Sequence, residues 1–382
     1  MSAILPGATI GILGGGQLGR MTAMAARSLG YRVQVMDPDP SCPARFVVDA
    51  CFEGGWDDAK AAANLARGCD VVTLEIEQLS LECMRAAARF APVRPGARLL
   101  EIIQNRMTQK EWLQAHGLPV GRFRVAASAD DVREALRVFA FDCFVKSAHG
   151  GYDGRSQVRV INDDGATPIE ELAQQIWMSL GSAPCVVEQG VPLDLEISVL
   201  VARNPSGEMK SFPSAENHHE RQILSWSAIP SSISPTMEIQ AQAFACDLAE
   251  KLGLEGILAV EMFVTTTGEL LVNELAPRPH NSYHASERAC VTSQFEQHVR
   301  AVCDLPLGEV DIVKPAAIAN LLGDAWKKGE PRFDRALAVR GVGLHLYEKH
   351  TARPGRKMGH LSAIGDTAKD AVQRVLKARA QL

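Results

Sequence analysis

Two glutamates in the C-terminal half of the chain stand at a spacing that suits a divalent cation. Glu261 and Glu274 lie in two β-prone segments joined by the turn TTTG. If the turn is centred on Thr267 and Gly268, the glutamates face each other across a hairpin with their Cβ atoms about 5 Å apart. Like charges so close in apolar surroundings need a shared proton or a cation such as Mg²⁺. We therefore expect a metal site here, with Asn273 on the opposite face; two solvated glutamates on an edge hairpin are the alternative.

A lysine followed by a glycine-rich loop suits the binding of phosphate groups. The segment KSAHGGYDGRSQ begins at Lys146 and contains Gly150, Gly151 and Gly154. Lysine is a compact cation for phosphate oxygens, and a glycine backbone can fold over them and exclude water. A glycine hairpin with an exposed lysine has the same pattern, so this segment alone leaves both interpretations open.

The loop that follows the second glutamate strand concentrates polar side chains next to the expected metal. In the segment APRPHNS two prolines stiffen the backbone, and Arg278 can donate two hydrogen bonds to a carboxylate or a phosphate. His280, Asn281 and Ser282 add further polar groups beside it. This density of polar side chains indicates a functional loop rather than an ordinary surface connection.

A second basic cluster lies near the C-terminus, in the segment YEKHTARPGRKMGH. Its cations include Arg353, Arg356 and Lys357. Such a run is commonly a solvated charged turn, but it can equally anchor the phosphate of a substrate.

A glycine-rich segment, GGGQLG, follows an apolar β-prone stretch and begins a helical one. Gly14, Gly16 and Gly19 match the G-x-G-x-x-G pattern of dinucleotide-binding domains, and Asp37 follows the next strand. A nicotinamide-dependent dehydrogenase is therefore one alternative function. Because many α/β domains need a tight turn here, the motif also fits a structural turn or a loop that holds another phosphate.

The patterns that must position these residues change along the chain. ATIGIL, YRVQVMD and CDVVTLE predict strands of a parallel α/β sheet, with a helix from Gln17 to Leu29 between the first two. A β-loop-β-α-β pattern predicts a small α+β lobe over about 125–200, and Ser128 is expected to cap its first helix. The expected domains are 1–104, 105–325 and 326–382.

The composition excludes several classes of protein. A chain of 382 residues, 46% hydrophobic and 22% charged, is typical of a globular protein of two or three domains. Its 40 basic and 45 acidic residues do not favour a nucleic-acid partner. We find neither a signal peptide nor the roughly 20 apolar residues of a membrane span. Nine scattered cysteines without a C-x-x-C pair are typical of a reduced cytoplasm.

Together these segments resemble the ATP-grasp superfamily and, within it, the N5-carboxyaminoimidazole ribonucleotide synthase family. Five motifs carry the resemblance by their order and spacing: GILGGGQLGRM, GYDGRSQ, VVEQG, VNELAPRPHNS and ARPGRKMGH. The resemblance implies an ATP-grasp fold of the α/β and α+β classes. Its parts would be an N-terminal parallel α/β (pre-ATP-grasp) domain, a small α+β lid lobe, a central antiparallel-sheet lobe and a short β-rich C-terminal extension.

The resemblance also implies roles for individual residues. The nucleotide would be bound by Arg106, Lys146, Gly151, Tyr152, Asp153, Gly154, Arg155, Ser156, Gln157, Glu188, Gln189, Gly190, Val191, Glu196, His219, Asn273 and Glu274. The substrate would be bound by Gly16, Gln17, Leu18, Glu75, Tyr152, Asp153, Arg155, Ser282, Lys349 and Arg356, the last two at its 5′-phosphate. The catalytic residues would be Arg278, His280, Asn281 and Lys146, and Mg²⁺ would be held by Glu261 and Glu274.

The reaction implied by the resemblance belongs to purine biosynthesis. Bicarbonate would take the γ-phosphoryl group of ATP to give carboxyphosphate, and the exocyclic amine of 5-aminoimidazole ribonucleotide would then be carboxylated. ATP and Mg²⁺ would be the cofactors, and the three small molecules the partners, without nucleic acid or membrane. A cytoplasmic homodimer is expected. The formate-using glycinamide ribonucleotide transformylase is a close alternative, but Asn281 stands where that family has an aspartate.

The chain departs from the pattern of the resembled family at three places. In one of them, the stretch LEIE at 74–77, the aromatic residues expected of the family are missing, although Glu75 fits a substrate contact. Ser156 stands where a glycine is usual in the glycine loop, and should stiffen that loop. Tyr283 also replaces a glycine, and we expect its bulk to narrow the substrate site. The changes at Ser156 and Tyr283 leave a further alternative open, in which a protein descended from this family keeps the fold and binds nucleotide but catalyses no reaction.

Overall fold

A computed structural model of the chain describes residues 2–150, 156–161 and 167–382, and within them three β-sheets. The N-terminal elements are β1 Thr9–Leu13, α1 Gln17–Ser28, β2 Arg32–Asp37, β3 Ala50–Glu53, α2 Ala59–Ala66, β4 Val71–Leu74, α3 Leu81–Ala87 and α4 Ala97–Ile103. The four strands are parallel and lie in the order β3-β2-β1-β4. This confirms the parallel α/β sheet predicted from the alternation of strand and helix patterns.

The second sheet forms the small α+β lobe. Its region contains α5 Arg106–Ala115, β5 Phe123–Ala126, α6 Ala129–Val138, β6 Asp142–Ser147, β7 Gln157–Ile161, α7 Ile169–Ser179 and β8 Cys185–Gln189. The strands are antiparallel in the order β5-β8-β6-β7. As predicted, Ser128 caps α6, because its hydroxyl accepts the backbone N–H of Asp131 at 3.1 Å. The apolar faces of α6 and α7 pack on this sheet.

The third sheet is the largest and is antiparallel. Its region contains β9 Leu193–Arg203, β10 Met209–Ser211, β11 Ala215–Glu220, β12 Ile223–Ile229, α8 Pro235–Lys251, β13 Gly256–Thr265, β14 Leu270–Ala276, α9 Ser286–Ala289, α10 Gln294–Val302, β15 Ala316–Leu322, α11 Phe333–Leu337, β16 Val342–Leu346, β17 Lys357–Ile364 and α12 Ala368–Arg379. The order is β14-β13-β9-β11-β12-β15-β17-β16, and β10 pairs with β9.

The strand order sets the limits of the small lobe. β9 pairs with β13 and β11, so it belongs to the large sheet although it follows β8 after only a short connection. The sheet of the small lobe therefore ends at Gln189, and the expected extent to about 200 is too long. A strand pattern predicts that a segment is extended, but not which of two sheets supplies its hydrogen-bonding partners.

Helices in the described part of the chain are too short or too polar to cross a membrane. The nine cysteines are all free thiols, in agreement with their scattered positions in the sequence. Several of them, such as Cys143 and Cys185, are fully buried and act as small apolar side chains in the core.

Tyr283, which departs from the family pattern, lies in the core rather than in a binding site. Its side chain is fully buried and meets Phe212 edge-on, with ring centroids 5.8 Å apart. Its hydroxyl oxygen lies 2.7 Å from the carbonyl oxygen of Ser198 and 2.9 Å from that of Pro213. The expectation that Tyr283 narrows the substrate site is therefore wrong, because the ring turns inward and fills space beneath the sheet.

We predict that Tyr283→Phe lowers the free energy of unfolding by about 1 kcal/mol, because two buried carbonyls lose their shared donor. Tyr283→Ala should cost about 3–5 kcal/mol, since it also leaves a cavity. Chemical denaturation of both variants measures these differences. Equal stability of wild type and Tyr283→Phe would show that the hydroxyl contributes nothing.

Candidate functional site

The three sheets enclose one large cleft of about 910 Å³. It is lined by most of the residues that the sequence singled out: Gly16, Gln17, Leu18, Glu75, Arg106, Lys146, Ser156, Gln157, Glu188, Gln189, Val191, Glu196, His219, Glu261, Asn273, Glu274, Arg278, His280, Asn281, Lys349 and Arg356. Residues separated by more than 300 positions therefore share one site. The expected loop residues Gly151, Tyr152, Asp153, Gly154 and Arg155 lie outside the described residues.

Ser282 and Gly190 were expected to contact a bound ligand, but they lie behind the residues that line the cleft. Ser282 is fully buried, and its hydroxyl is 2.8 Å from both Ser198 Oγ and His280 Nδ1. Direct contact between Ser282 and substrate is therefore at odds with the geometry. Gly190 lies against Asp142, whose carboxylate leaves no room for a Cβ atom. A short polar motif predicts a functional loop, but not which of its side chains turn inward.

The two glutamates of the hairpin are paired as expected. Glu261 lies opposite Glu274 in the register of β13 and β14. A bulge follows directly, because Met262 pairs with Val272 and leaves Asn273 without a partner position. The alternation that predicted Asn273 on the opposite face is broken by this bulge, and Asn273 lines the same cleft as Glu274.

The charge balance around the glutamate pair suits a divalent cation. Burial and the negative charge of Glu274 raise the pKa of Glu261 to about 7. Arg106 Nη2 is 3.7 Å from Glu274, and His280 Nε2 is 3.4 Å from Glu261. Asn273 Oδ1 is buried without a hydrogen-bond partner among the described residues. Two carboxylates and an unused amide oxygen are hard oxygen donors, so the residues present fit Mg²⁺.

A buried three-charge network lies in the part of the cleft formed by the small lobe. Glu188 forms ion pairs with two lysines: its Oε2 is 3.1 Å from Lys110 Nζ, and its Oε1 is 3.1 Å from Lys146 Nζ. Burial alone would raise the pKa of Glu188, but the two lysines outweigh it and lower the pKa to about 2. The network therefore keeps a net positive charge beside the hairpin β6–β7, which suits an anionic phosphate chain.

Lys110 is a functional candidate that the sequence reasoning missed. It lies four residues after Arg106 on α5, so both side chains point to the same side of that helix and both line the cleft. That spacing is the signal by which it could have been found. Burial lowers the pKa of Lys110, although the charge of Glu188 opposes this shift.

His219 and Glu196 form an ion pair on neighbouring strands of the large sheet. His219 Nδ1 is 2.6 Å from Glu196 Oε2. Burial would lower the pKa of His219, but the hydrogen bond and charge of Glu196 outweigh it and raise the pKa. A paired carboxylate and imidazole at the mouth of the cleft can bind the hydroxyl groups of a sugar.

The glycine-rich loop holds carboxylates of the protein itself. The backbone N–H groups of Gly16 and Gly19 each donate to Glu75 at 2.5 Å, and that of Gly15 donates to Asp37 at 2.8 Å. Burial raises the pKa of Glu75, and the two backbone donors offset part of that shift. The donors that would cradle a dinucleotide phosphate are therefore already engaged, and the loop orients Glu75 at the cleft.

The loop after β14 is tied to the N-terminal domain through Arg278. Arg278 Nε is 2.8 Å from Glu77 Oε1, and both side chains are largely buried. Burial lowers the pKa of Arg278, but the charge of Glu77 outweighs it and raises the pKa. Glu77 was also missed; it lies two residues after Glu75 at the exit of β4, where parallel strands present functional side chains.

His280 and Asn281 complete the wall beside this arginine. Burial, together with the charge of Arg278, holds the pKa of His280 well below its ordinary value, so the ring is neutral at pH 7. Asn281 Oδ1 accepts from Gln17 Nε2 at 3.4 Å, and the same Gln17 nitrogen is 2.9 Å from His284 Nε2. Neutral polar groups here can orient a small anion without transferring a proton to it.

Lys349 extends from the C-terminal strands towards the glycine-rich loop. Its ammonium group donates to the carbonyl oxygen of Lys357 at 2.7 Å and lies 3.5 Å from Gln17 Oε1. Arg353, Arg356 and Lys357 line the same end of the cleft. This end of the cleft is therefore cationic, and the basic cluster of the sequence faces it, with Arg353 itself exposed to solvent.

Family models match three consecutive parts of the chain. Residues 7–104 match the ribonucleotide synthetase preATP-grasp domain, and residues 111–295 match the ATP-grasp domain. Residues 316–374 match the phosphoribosylaminoimidazole carboxylase C-terminal domain. The glycine motif therefore belongs to a preATP-grasp domain, and its interpretation as a dehydrogenase fingerprint is wrong.

Relatives and solved structures match nearly the whole chain. The N5-carboxyaminoimidazole ribonucleotide synthase of Bacillus subtilis is 40% identical over 97% of this chain and 95% of its own length. The Brucella melitensis synthase is 39% identical over 95% of this chain and 98% of its own length.

Two crystal structures show the same fold with ligands bound. The Staphylococcus aureus synthetase complexed with ADP has a TM-score of 0.90 at 33% identity, covering 99% of this chain and 98% of its own. The Aspergillus clavatus synthase complexed with ADP and 5-aminoimidazole ribonucleotide has a TM-score of 0.87 at 29% identity, with 98% of each chain covered. This chain belongs to the N5-carboxyaminoimidazole ribonucleotide synthase family of ATP-grasp ligases.

Proposed function

We propose that the protein uses ATP and bicarbonate to carboxylate the exocyclic amine of 5-aminoimidazole ribonucleotide in purine biosynthesis. The observation that carries this proposal is one cleft with two cationic ends on either side of the Glu261–Glu274 pair. The small-lobe end, with Lys146, suits the phosphates of ATP. The C-terminal end, with Lys349 and Arg356, suits the 5′-phosphate of the ribonucleotide.

At the ATP end, Glu188 holds Lys146 and Lys110 as a compact cationic group that orients the phosphate chain. Backbone groups of Glu188, Gln189 and Val191, where the chain crosses from the small lobe to the large sheet, would receive the adenine base. The Glu196–His219 pair would bind the ribose hydroxyls. Mg²⁺, held by Glu261 and Glu274 with Asn273 beside them, would neutralise charge on the phosphate oxygens.

At the centre, the chain positions bicarbonate and protects the intermediate from water. Bicarbonate oxygen attacks the γ-phosphorus, ADP leaves, and carboxyphosphate forms. Arg278 balances the negative charge of the transferring group, while the neutral His280 ring and the Asn281 amide orient it. The amine of the ribonucleotide then takes the carboxyl group and inorganic phosphate leaves. Positioning and charge neutralisation, rather than a protein nucleophile, carry this chemistry.

At the ribonucleotide end, Glu75 faces the substrate between Gly16 and Gly19 of the glycine-rich loop. Gln17 and Leu18 of the same loop would contact the substrate, as would Tyr152, Asp153 and Arg155 of the segment outside the described residues. We also propose that the protein is a homodimer in the cytoplasm. Sedimentation of the purified protein tests the dimer. The free thiols are compatible with a reducing compartment.

Release of ADP from the purified protein tests the proposed reaction. With Mg-ATP and bicarbonate, we expect 5-aminoimidazole ribonucleotide to stimulate ADP release strongly, and we expect the stimulation to require bicarbonate. Replacing bicarbonate by formate, and the ribonucleotide by glycinamide ribonucleotide, tests the transformylase alternative. Slow ADP release that responds to neither bicarbonate nor the ribonucleotide would contradict the proposal.

We predict that Mg²⁺ stabilises the wild type more than Glu261→Gln, and increasingly so as the pH rises. Because the pKa of Glu261 is raised to about 7, the folded state keeps a proton that the unfolded state loses near pH 4.3. Without metal, the free energy of unfolding of the wild type therefore falls relative to the variant between about pH 4.3 and 7. Mg²⁺ neutralises the ionised pair and offsets this loss.

Thermal denaturation from pH 5 to 8, with and without Mg²⁺, measures these differences. Glu269→Gln is the matched control, because Glu269 lies exposed in the turn of the same hairpin. An equal response of wild type and Glu261→Gln to Mg²⁺ would remove Glu261 from the metal site.

We predict that Lys349→Ala raises the KM for the ribonucleotide about tenfold or more, the loss expected for one charge-assisted hydrogen bond. The KM for ATP should change little, because Lys349 lies at the other end of the cleft. Lys327→Ala, which removes an exposed lysine paired with Asp324, is the control. An unchanged KM for the ribonucleotide in Lys349→Ala would rule out the phosphate-binding role.

A further inference from the structure

A buried arginine joins the three segments that surround the ribonucleotide end of the cleft. Arg20 lies on α1, one turn after Gln17 and Leu18, and only 11% of its side chain is exposed. Its guanidinium donates to Glu348 through Nη2 at 2.9 Å and Nη1 at 3.2 Å. Nη1 also donates to the carbonyl oxygen of Pro43 at 3.0 Å. One side chain therefore links the glycine-loop helix, the segment after β2 and the C-terminal strands.

Glu348 adopts a backbone conformation that an L-residue rarely takes. Its φ is +58°, in the left-handed region that favours glycine. Lys349 follows it directly, so this reversal of the backbone sets the direction in which the ammonium group of Lys349 leaves the strand. The bidentate contact between Arg20 and the Glu348 carboxylate holds Glu348 in this backbone conformation.

A second contact fixes the other side of Lys349. His350 Nε2 is 3.2 Å from the carbonyl oxygen of Ser41, and the His350 ring meets Phe46 edge-on with centroids 6.4 Å apart. Lys349 is therefore flanked on both sides by residues docked on the N-terminal domain. Between them its ammonium group is brought within 3.5 Å of Gln17 Oε1.

We propose that Arg20 and Glu348 are positioning residues for the ribonucleotide: their ion pair docks the C-terminal segment on the N-terminal domain and so aims Lys349 at the 5′-phosphate. The inference rests on the proposed function and adds two residues that touch no substrate. The pair acts by fixing the distance between two parts of a binding site that belong to different domains. A displacement of the lysine by about 1 Å is enough to weaken such a contact.

Because Glu348 is partly exposed, we expect loss of the ion pair to affect the segment around Lys349 and not the stability of the whole fold. The side chain of Glu348 is 47% exposed, and an ion pair with so much solvent contact contributes little to overall stability. The arginine is largely buried, belongs to α1 and donates to the carbonyl oxygen of Pro43, so it stays in place if the carboxylate is removed. Loss of the pair therefore releases the segment that carries Lys349 and leaves the core intact.

Steady-state kinetics of three variants test the pair. Glu348→Gly removes the carboxylate but permits the positive φ, so backbone strain does not confuse the result. We expect it to raise the KM for the ribonucleotide about tenfold, with the KM for ATP and kcat within about twofold of wild type. Glu348→Gln keeps an acceptor for Arg20 and should recover part of the loss. Combining Arg20→Lys with Glu348→Gly should add little to Glu348→Gly alone.

Asp334→Asn is the matched control. Asp334 forms a bidentate ion pair with Arg332, at 2.8 and 2.6 Å, on the surface and outside the lining of the cleft. Its loss should leave both KM values unchanged. An unchanged ribonucleotide KM in Glu348→Gly, or an equal rise in both KM values, would overturn the positioning role.

Hydrogen exchange separates this inference from the proposed function. Peptides that cover 39–47 and 347–357 should exchange faster in Glu348→Gly than in wild type, while the peptides of β13 and β14 should not change. If the wild type shows no turnover with the ribonucleotide, the proposed function fails. The exchange data still test whether the Arg20–Glu348 ion pair docks the C-terminal segment. Unchanged exchange in both peptides would show that Arg20 and Glu348 do not dock the segment.

Discussion

The need to neutralise buried charge governs the arrangement of this molecule. Glu261 and Glu274 face each other in a sheet whose other side is packed with apolar residues, and burial beside Glu274 raises the pKa of Glu261, so a cation would stabilise its charged form. Several other charged groups in the cleft have a partner of opposite charge: Lys146 and Lys110 share Glu188, His219 has Glu196, and Arg278 has Glu77. Lys146 and Glu188 belong to one sheet, as do His219 and Glu196, whereas Arg278 and Glu77 come from different domains. Charge pairing therefore sets the properties of the site, and the Arg278–Glu77 pair also links two domains.

Much of the fold followed from the sequence because its patterns are local. The alternation of strand and helix around GGGQLG predicted a parallel sheet, and the turn TTTG predicted the hairpin that pairs Glu261 with Glu274. The assignment of β9 to the large sheet did not follow, because both sheets accept an apolar strand. The bulge at Asn273 was missed for a similar reason: one extra residue changes the face of a side chain without changing the strand pattern.

Site residues were predictable where the residue type is rarely used for structural purposes alone, such as paired glutamates. They were less predictable where a polar side chain can instead form hydrogen bonds inside the protein. Paired glutamates and a lysine before a glycine loop were found at the cleft. Ser282 was expected there as well, yet it supports the ring of His280 from below. Lys110 and Glu77 were missed because each matters through the partner it neutralises, and those partners are remote in sequence. The expectation for Tyr283 was wrong for a related reason, because the sequence does not show whether its ring points into the cleft or into the core.

The C-terminal strands continue the large sheet without a break, because β15 pairs with β12 and with β17. The last part of the chain is therefore not a module that can be exchanged with that of another ligase. Cutting the chain before β15 would leave β12 as an exposed edge with unpaired backbone groups, which favours aggregation. Chimaeras that alter substrate choice should instead join parents at the short connection between β8 and β9, where the chain passes from the sheet of the small lobe to the large sheet.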